Sequence, residues 1–230
     1  MNYIFDFGGT LAETKKTTPK IINSFQQLIA ESLNISLSRV KKAESLMNRY
    51  KSDLFSYEAR IKMNTLALEK IAHIKWFEGI LQYLGEDIGS NFNLIEKLCK
   101  MNMTEIEYYL YKDTVSCLIQ IKKMGNHSYI LSNGLPSKRQ EIEKLGLDKI
   151  VDKIFISSKL SCEKPSPQIY QFVLNNLHIK ASETIFVDNL IENVETADLL
   201  GIRSFRIVRE KEVSSSKWDI SSLTEAIIKS

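Results

Sequence analysis

Four short stretches of this chain hold residue types that can do chemistry together. IFDFGGTL delivers one carboxylate, Asp6, from an apolar run into a turn built on Gly8 and Gly9. YILSNG ends in a hydroxyl and an amide, Ser132 and Asn133, and EKPSPQIY supplies an ammonium, Lys164, ahead of Pro165. IFVDNL ends in a second carboxylate and amide, Asp188 and Asn189. A carboxylate in the position of Asp6 can act as a nucleophile. Taken singly, each residue also has a plain explanation, since Asp or Ser after a strand commonly caps the next helix. Their joint occurrence, each at the end of an apolar run, calls for elements that bring them together.

The patterning supplies such elements. Asn2 to Phe5, Ser128 to Leu131, Ile154 to Ile156, Thr184 to Val187 and Ser204 to Val208 read as short strands. Between the later ones lie helix-like stretches, Asp113 to Met124, Ser137 to Leu145, Gln168 to Leu177 and Glu192 to Leu200. Strands alternating with helices imply a parallel sheet with helices on its faces. Ligands of such sheets bind beyond the carboxyl ends of the strands, where these residues fall. From about Pro19 to Met101 the pattern is helical throughout, with separate helices expected at Ser38 to Tyr50, Tyr57 to His73, Trp76 to Leu84 and Asn93 to Lys100. This block interrupts the chain between the first strand and the rest.

In their order, IFDFGGTL, YILSNG, EKPSPQIY and IFVDNLIENVETADLLGI resemble the four motifs of the haloacid dehalogenase-like (HAD) hydrolases. The resemblance spans the first eleven residues and roughly Asp113 to Val208. It implies an α/β fold, a Rossmann-like parallel core formed by residues 1–13 and 102–230. A small all-helical cap, residues 14–101, would be inserted after the first strand. It further implies a phosphomonoester hydrolase in which Asp6 attacks phosphorus to give an aspartyl-phosphate, with Lys164 and Mg²⁺ supplying positive charge. Ser132, Asn133, Lys164 and Thr10 would meet the phosphoryl group and substrate. Asp6, the Gly8 carbonyl, Asp188 and Asn189 would hold the metal, and Asn193 matches a downstream asparagine of the family. Gly9 would allow close approach of the backbone to the ligand.

Two departures bear on that chemistry. Phosphatases of the family usually carry an aspartate two residues after the nucleophile as general acid and base, and here that position is Gly8. The carbonyl remains, whereas groups of this kind typically contribute about 10²–10⁴-fold. The fourth motif reads Asp188-Asn189, so the later position offers an oxygen without charge. Three readings stay open: a phosphatase acting on good leaving groups such as sugar 1-phosphates or acyl phosphates; a metal-independent 2-haloacid dehalogenase; and a protein of weak or lost activity used for binding or regulation.

Composition sets outer bounds. The chain has 230 residues, 43% hydrophobic and 26% charged, as expected of a soluble globular protein. Lys and Arg number 31 against 28 Asp and Glu, and the basic residues are scattered, giving no case for nucleic acid or a membrane surface. Cys99, Cys117 and Cys162 form no CxxC pair and the three histidines are isolated, so no structural zinc is expected. No apolar run approaches the ~18 residues of a membrane span. With no basic and apolar leader pattern at Met1, a reduced, cytoplasmic protein is expected. The expected partner is a small phosphorylated metabolite, met by a monomer or small homo-oligomer. Near the cap junction, Glu13, Lys15 and Lys16 read as solvated loop residues that could also reach the site, while Trp76 and Tyr57 read as core.

Overall fold

The order of elements follows the alternation of the sequence. The chain runs β1 (Asn2–Phe5) and β2 (Ala12–Thr14), then a helical block of α1 (Ser24–Leu33), α2 (Leu37–Leu46), α3 (Asn48–Leu54), α4 (Tyr57–Arg60), α5 (Leu66–Leu84) and α6 (Phe92–Thr104). After β3 (Tyr108–Leu110) come α7 (Thr114–Lys123), β4 (His127–Ser132), α8 (Lys138–Lys144), β5 (Lys153–Ile156) and α9 (Pro167–Leu177). The chain closes with β6 (Thr184–Asp188), α10 (Ile191–Leu199), β7 (Arg203–Ile207), β8 (Asp219–Ile220) and α11 (Leu223–Ile228). This computed structural model describes residues 1–14, 24–209 and 216–229.

Among these residues, six strands form a parallel sheet in the order β5-β4-β1-β6-β7-β8. The central strands β1, β4 and β6 are largely apolar because both faces are covered. Alternate side chains of β1 serve the two faces, as the pleat requires. Tyr3 and Phe5 pack with Cys117, Leu118 and Ile121 of α7, Ile142 of α8 and Leu223 of α11. Ile4 packs on the other side with Ile169, Tyr170 and Val173 of α9 and Ala197 of α10. β1 sits between β4 and β6, with Phe5 in register with both Ile130 and Val187. The residues that follow the ends of these three strands therefore emerge side by side.

The helical block has a separate core. Ile29, Val40, Trp76, Phe77, Ile80, Leu81 and Leu98 are buried together, with α5 packed against α2, α3 and α6. Trp76 belongs to this core, but Tyr57 is exposed. The helix boundary expected near Ile74 and Lys75 lies instead at residues 61–65. Thr65 ends that break, its hydroxyl accepting from the Leu68 N–H at 3.2 Å, and α5 then runs unbroken through Trp76. No helix among the described residues is long and apolar enough to cross a membrane.

The block joins the sheet through an antiparallel pair that the sequence pattern does not show. Ala12 to Thr14 of β2 pairs with Tyr108 to Leu110 of β3. Two polar contacts pin the block further. Arg60 donates to Glu163 at 2.6 Å, in the loop that carries Lys164. Glu69 of α5, buried, accepts from the Ser137 N–H at 2.8 Å and from its hydroxyl, just ahead of α8. Burial raises the Glu69 carboxyl above its usual range, with the Ser137 hydrogen bonds opposing the shift. Glu69→Ala would strand the buried Ser137 donors, costing about 2 kcal/mol. We expect a lower urea midpoint with native circular dichroism, and an unchanged midpoint would show that the contact adds nothing.

Candidate active site

One ammonium organises the ends of the strands. Lys164 Nζ donates to Asp6 Oδ1 and to Asp188 Oδ2, each at 2.7 Å. All three residues are buried, Asp188 completely. Asp188 also accepts from Asn193 Nδ2 and from the Leu190 N–H, both at 2.9 Å. The Asp6 carboxyl is pushed up to about 6, first by burial and further by the Asp188 charge, while Lys164 pulls against both. Burial opposes the Lys164 charge, yet the Asp188 and Asp6 carboxylates hold its pKa above the usual lysine value.

The loop bearing Lys164 is clamped from the end of β4. Asn133 Nδ2 donates to the Lys164 carbonyl at 2.8 Å, and the Lys164 N–H donates back to Asn133 Oδ1 at 2.9 Å. One N–H and the oxygen of this amide thus place the lysine backbone. Neighbouring Ser132 is buried, and its hydroxyl donates to the Asn133 carbonyl at 3.3 Å. Asp6, Gly8, Ser132, Asn133, Lys164, Asp188, Asn189 and Asn193 line one cleft of about 190 Å³.

Other residues singled out in the sequence fall elsewhere. Thr10 is fully buried outside the cleft lining, its hydroxyl without a hydrogen-bond partner among the described residues and its carbonyl bonded by Arg209. Glu13 lines an adjacent cleft with Asn189 and accepts from the Tyr111 hydroxyl at 3.0 Å. Lys15 and Lys16 lie outside the described residues. Asn193 steadies Asp188 from the start of α10, and its own carbonyl accepts from the Tyr170 hydroxyl at 2.9 Å. Lys138, which nothing in the sequence marked, also lines the cleft.

The two glycines of the turn differ in kind. Gly9 has φ +79°, and a Cβ there would come within 2.7 Å of the Asn189 side chain. It makes room for Asn189 in a left-handed conformation that favours glycine. Gly8 is exposed, lies outside the left-handed region, and would meet nothing within 4 Å of an added Cβ. The turn itself does not require glycine there.

The donor set is all oxygen. No cluster of three or more His, Cys, Asp or Glu suited to a metal occurs among the described residues. The cleft instead offers two carboxylates, an amide and the backbone of Gly8. The Asp6–Lys164–Asp188 group sets two carboxylates against one ammonium, and the second ammonium of the lining, Lys138, is paired with Glu141. Such a set suits a hard divalent cation.

The chain belongs to the haloacid dehalogenase-like hydrolases, whose family model matches residues 2–201. It is 22% identical over 212 residues to the D-ribitol-5-phosphate phosphatase of Bacteroides thetaiotaomicron, covering 89% of this chain and 90% of that protein. It is 31% identical over 125 residues to (S)-2-haloacid dehalogenase 4A of Burkholderia cepacia, covering 52% of this chain and 54% of that protein. A HAD-family enzyme of B. thetaiotaomicron, solved with magnesium and inorganic phosphate, shares the fold at a TM-score of 0.60 and 17% identity, over 93% of this chain and 96% of that one.

Gly8→Asp is expected to fold as the parent does, with stability within about 0.5 kcal/mol. Thermal unfolding checks this, and a fall of several kcal/mol would mean that the turn needs glycine after all.

Proposed function

We propose that this hydrolase is a magnesium-dependent phosphomonoesterase acting on a small phosphorylated metabolite through Asp6, with residues 14–101 as its cap. The observation that carries this reading is the second buried carboxylate, Asp188, which shares Lys164 with Asp6. The Asp6–Lys164–Asp188 group on its own is one unit negative, which disfavours an anionic substrate beside it. Asp6, Asp188, the Asn189 amide oxygen and the Gly8 carbonyl would hold a divalent ion, which would reverse that balance and supply a Lewis acid for a phosphoryl oxygen. Relatives named as phosphatases of ribitol 5-phosphate and glyceraldehyde 3-phosphate support the class of substrate.

Asp6 attacks phosphorus in line, and the ester oxygen leaves. Lys164 offsets the charge of the Asp6 carboxylate and of the phosphoryl oxygens. Ser132 donates its hydroxyl to one of those oxygens, turning from the Asn133 carbonyl. Asn133 holds the loop so that the ammonium does not drift between its partners. Water then cleaves the aspartyl-phosphate and restores Asp6. No side chain at position 8 moves a proton in either step, so leaving groups that depart without one are favoured.

A second reading has its own support. Hydrolysis of a 2-haloacid also needs a carboxylate nucleophile and no acid at position 8, and the Burkholderia relative is named as such an enzyme.

Turnover of p-nitrophenyl phosphate separates the two. We expect it to require magnesium, to disappear with chelator, and to vanish in Asp6→Asn. Halide release from 2-chloropropionate without metal, and no phosphate release, would overturn the proposal in favour of the second reading. No turnover of either compound would leave a binding protein. In Gly8→Asp, hydrolysis of alkyl phosphates is expected to rise by about 10²-fold, near the lower end for a restored general acid. Aryl phosphate should change little.

A further inference from the structure

A second cation stands in the cleft, and the activity proposed above gives it no task. Lys138 lines the cleft with its ammonium 5.8 Å from the ring centroid of Phe7, the residue between Asp6 and Gly8. Its side chain is 19% exposed, so this is not an ordinary solvated surface charge. The ammonium donates to the Tyr108 hydroxyl on β3, and to Glu141 one turn along α8 at 2.8 Å. It also lies 4.5 Å from the centroid of the Tyr108 ring.

The surroundings are shaped around it. A Cβ on Gly134 would come within 3.1 Å of the Lys138 Cβ and Cγ, so glycine there leaves space for the lysine stem. The preceding residue, Ser137, is held by Glu69 from the cap. Burial opposes the Lys138 charge, but Glu141 and Tyr108 outweigh it and keep the amine protonated. An ammonium has three N–H donors and no acceptor. Two are engaged, and one is left for a ligand.

Building on the phosphatase reading, we propose that Lys138 reads the non-phosphoryl part of the substrate, donating to a hydroxyl or carbonyl oxygen on its carbon chain. This selects short polyol or sugar phosphates over alkyl phosphates of equal length. A neutral acceptor fits better than a second anionic group for two reasons. Glu141 already balances the Lys138 charge, and the Asp6–Asp188 pair leaves the cleft negative. At about 190 Å³ the cleft takes only a short chain, well below the ~300–1,000 Å³ of sites for drug-sized ligands.

The test compares glycerol 3-phosphate with propyl phosphate, which has the same carbon chain without hydroxyls, in the full chain with magnesium. In Lys138→Met, KM for glycerol 3-phosphate should rise roughly 10–100-fold, as for a lost hydrogen bond to a charged donor. KM for propyl phosphate and kcat for both should stay within about twofold, and Lys138→Arg should recover part of the loss. An equal effect on both esters, or none, overturns the proposal. Circular dichroism and thermal unfolding establish that each variant folds. If Lys138→Met does not fold, Lys138→Gln gives the same comparison. If the parent hydrolyses neither ester, the phosphatase reading fails, and calorimetric binding of the two compounds to parent and variant decides the role of Lys138. A preference for glycerol 3-phosphate that disappears in the variant supports it, and equal affinities in both proteins overturn it.

Discussion

The structure depends on one lysine placed between two carboxylates that would otherwise repel each other. Parallel pairing of β1 with β6 sets Phe5 against Val187, so Asp6 and Asp188 emerge next to one another in a place with little water. Burial raises the Asp6 pKa, and the neighbouring Asp188 charge adds to the effect. Lys164 at 2.7 Å from both makes the arrangement tenable. Removing one partner from such a group leaves an uncompensated buried charge, typically at a cost of about 3–5 kcal/mol. The clamp from Asn133 and the donors from Asn193 and Leu190 follow from that constraint, since each fixes one corner of the triangle.

A buried charged group that ends one unit negative is incomplete as a container for an anion. It is suited to receiving a cation, and the oxygen-only donors around it favour a hard one. The same logic separates charge compensation from proton transfer in this chain. The residues that handle charge come from the rigid ends of adjacent strands or are tied to them. Proton transfer needs a further side chain at position 8, where there is space for one and none is present. A side chain introduced at Gly8 can therefore be accommodated without a clash with the residues of that electrostatic frame.

Much of this was legible in the sequence, for a definable reason. Asp6, Ser132 and Asp188 stand at the ends of apolar runs, and a buried parallel strand announces itself by such a run. Lys164 was legible through its motif, from the order of the four stretches. The two-stranded link β2–β3 was not legible, because three-residue strands show no periodicity. The helix break fell at residues 61–65 rather than 74–75 because Thr65 supplies a capping hydroxyl, while the apolar face of α5 runs on through Trp76. Asn133 was read as facing a substrate, and it does line the cleft, but composition could not disclose that its amide also holds the backbone of a distant loop. Thr10 illustrates the same limit, since its place beside the nucleophile turn did not disclose that it is fully buried.

Lys138 and Glu69 were invisible for a related reason. On sequence grounds Lys138 and Glu141 form an ordinary pair three residues apart on a helix face, worth a few tenths of a kcal/mol. Glu69 looks like an ordinary polar residue in the helix expected over Tyr57 to His73. Tertiary structure changes both. Glu69 reaches from α5 to the residue before α8, while Tyr108, on the strand that returns from the helical block, bonds the Lys138 ammonium. The contact that seats the block on the sheet and the cation that faces the cleft are thus adjacent in sequence. A shift of α5 relative to the sheet would pull on Ser137 and, through it, on Lys138, while the contact of Arg60 with Glu163 ties the block to the residue before Lys164 as well. Two sets of constraints thus meet at the cleft, the register of β1, β4 and β6 at Asp6, Ser132 and Asp188, and the docking of the cap at Ser137 and Glu163.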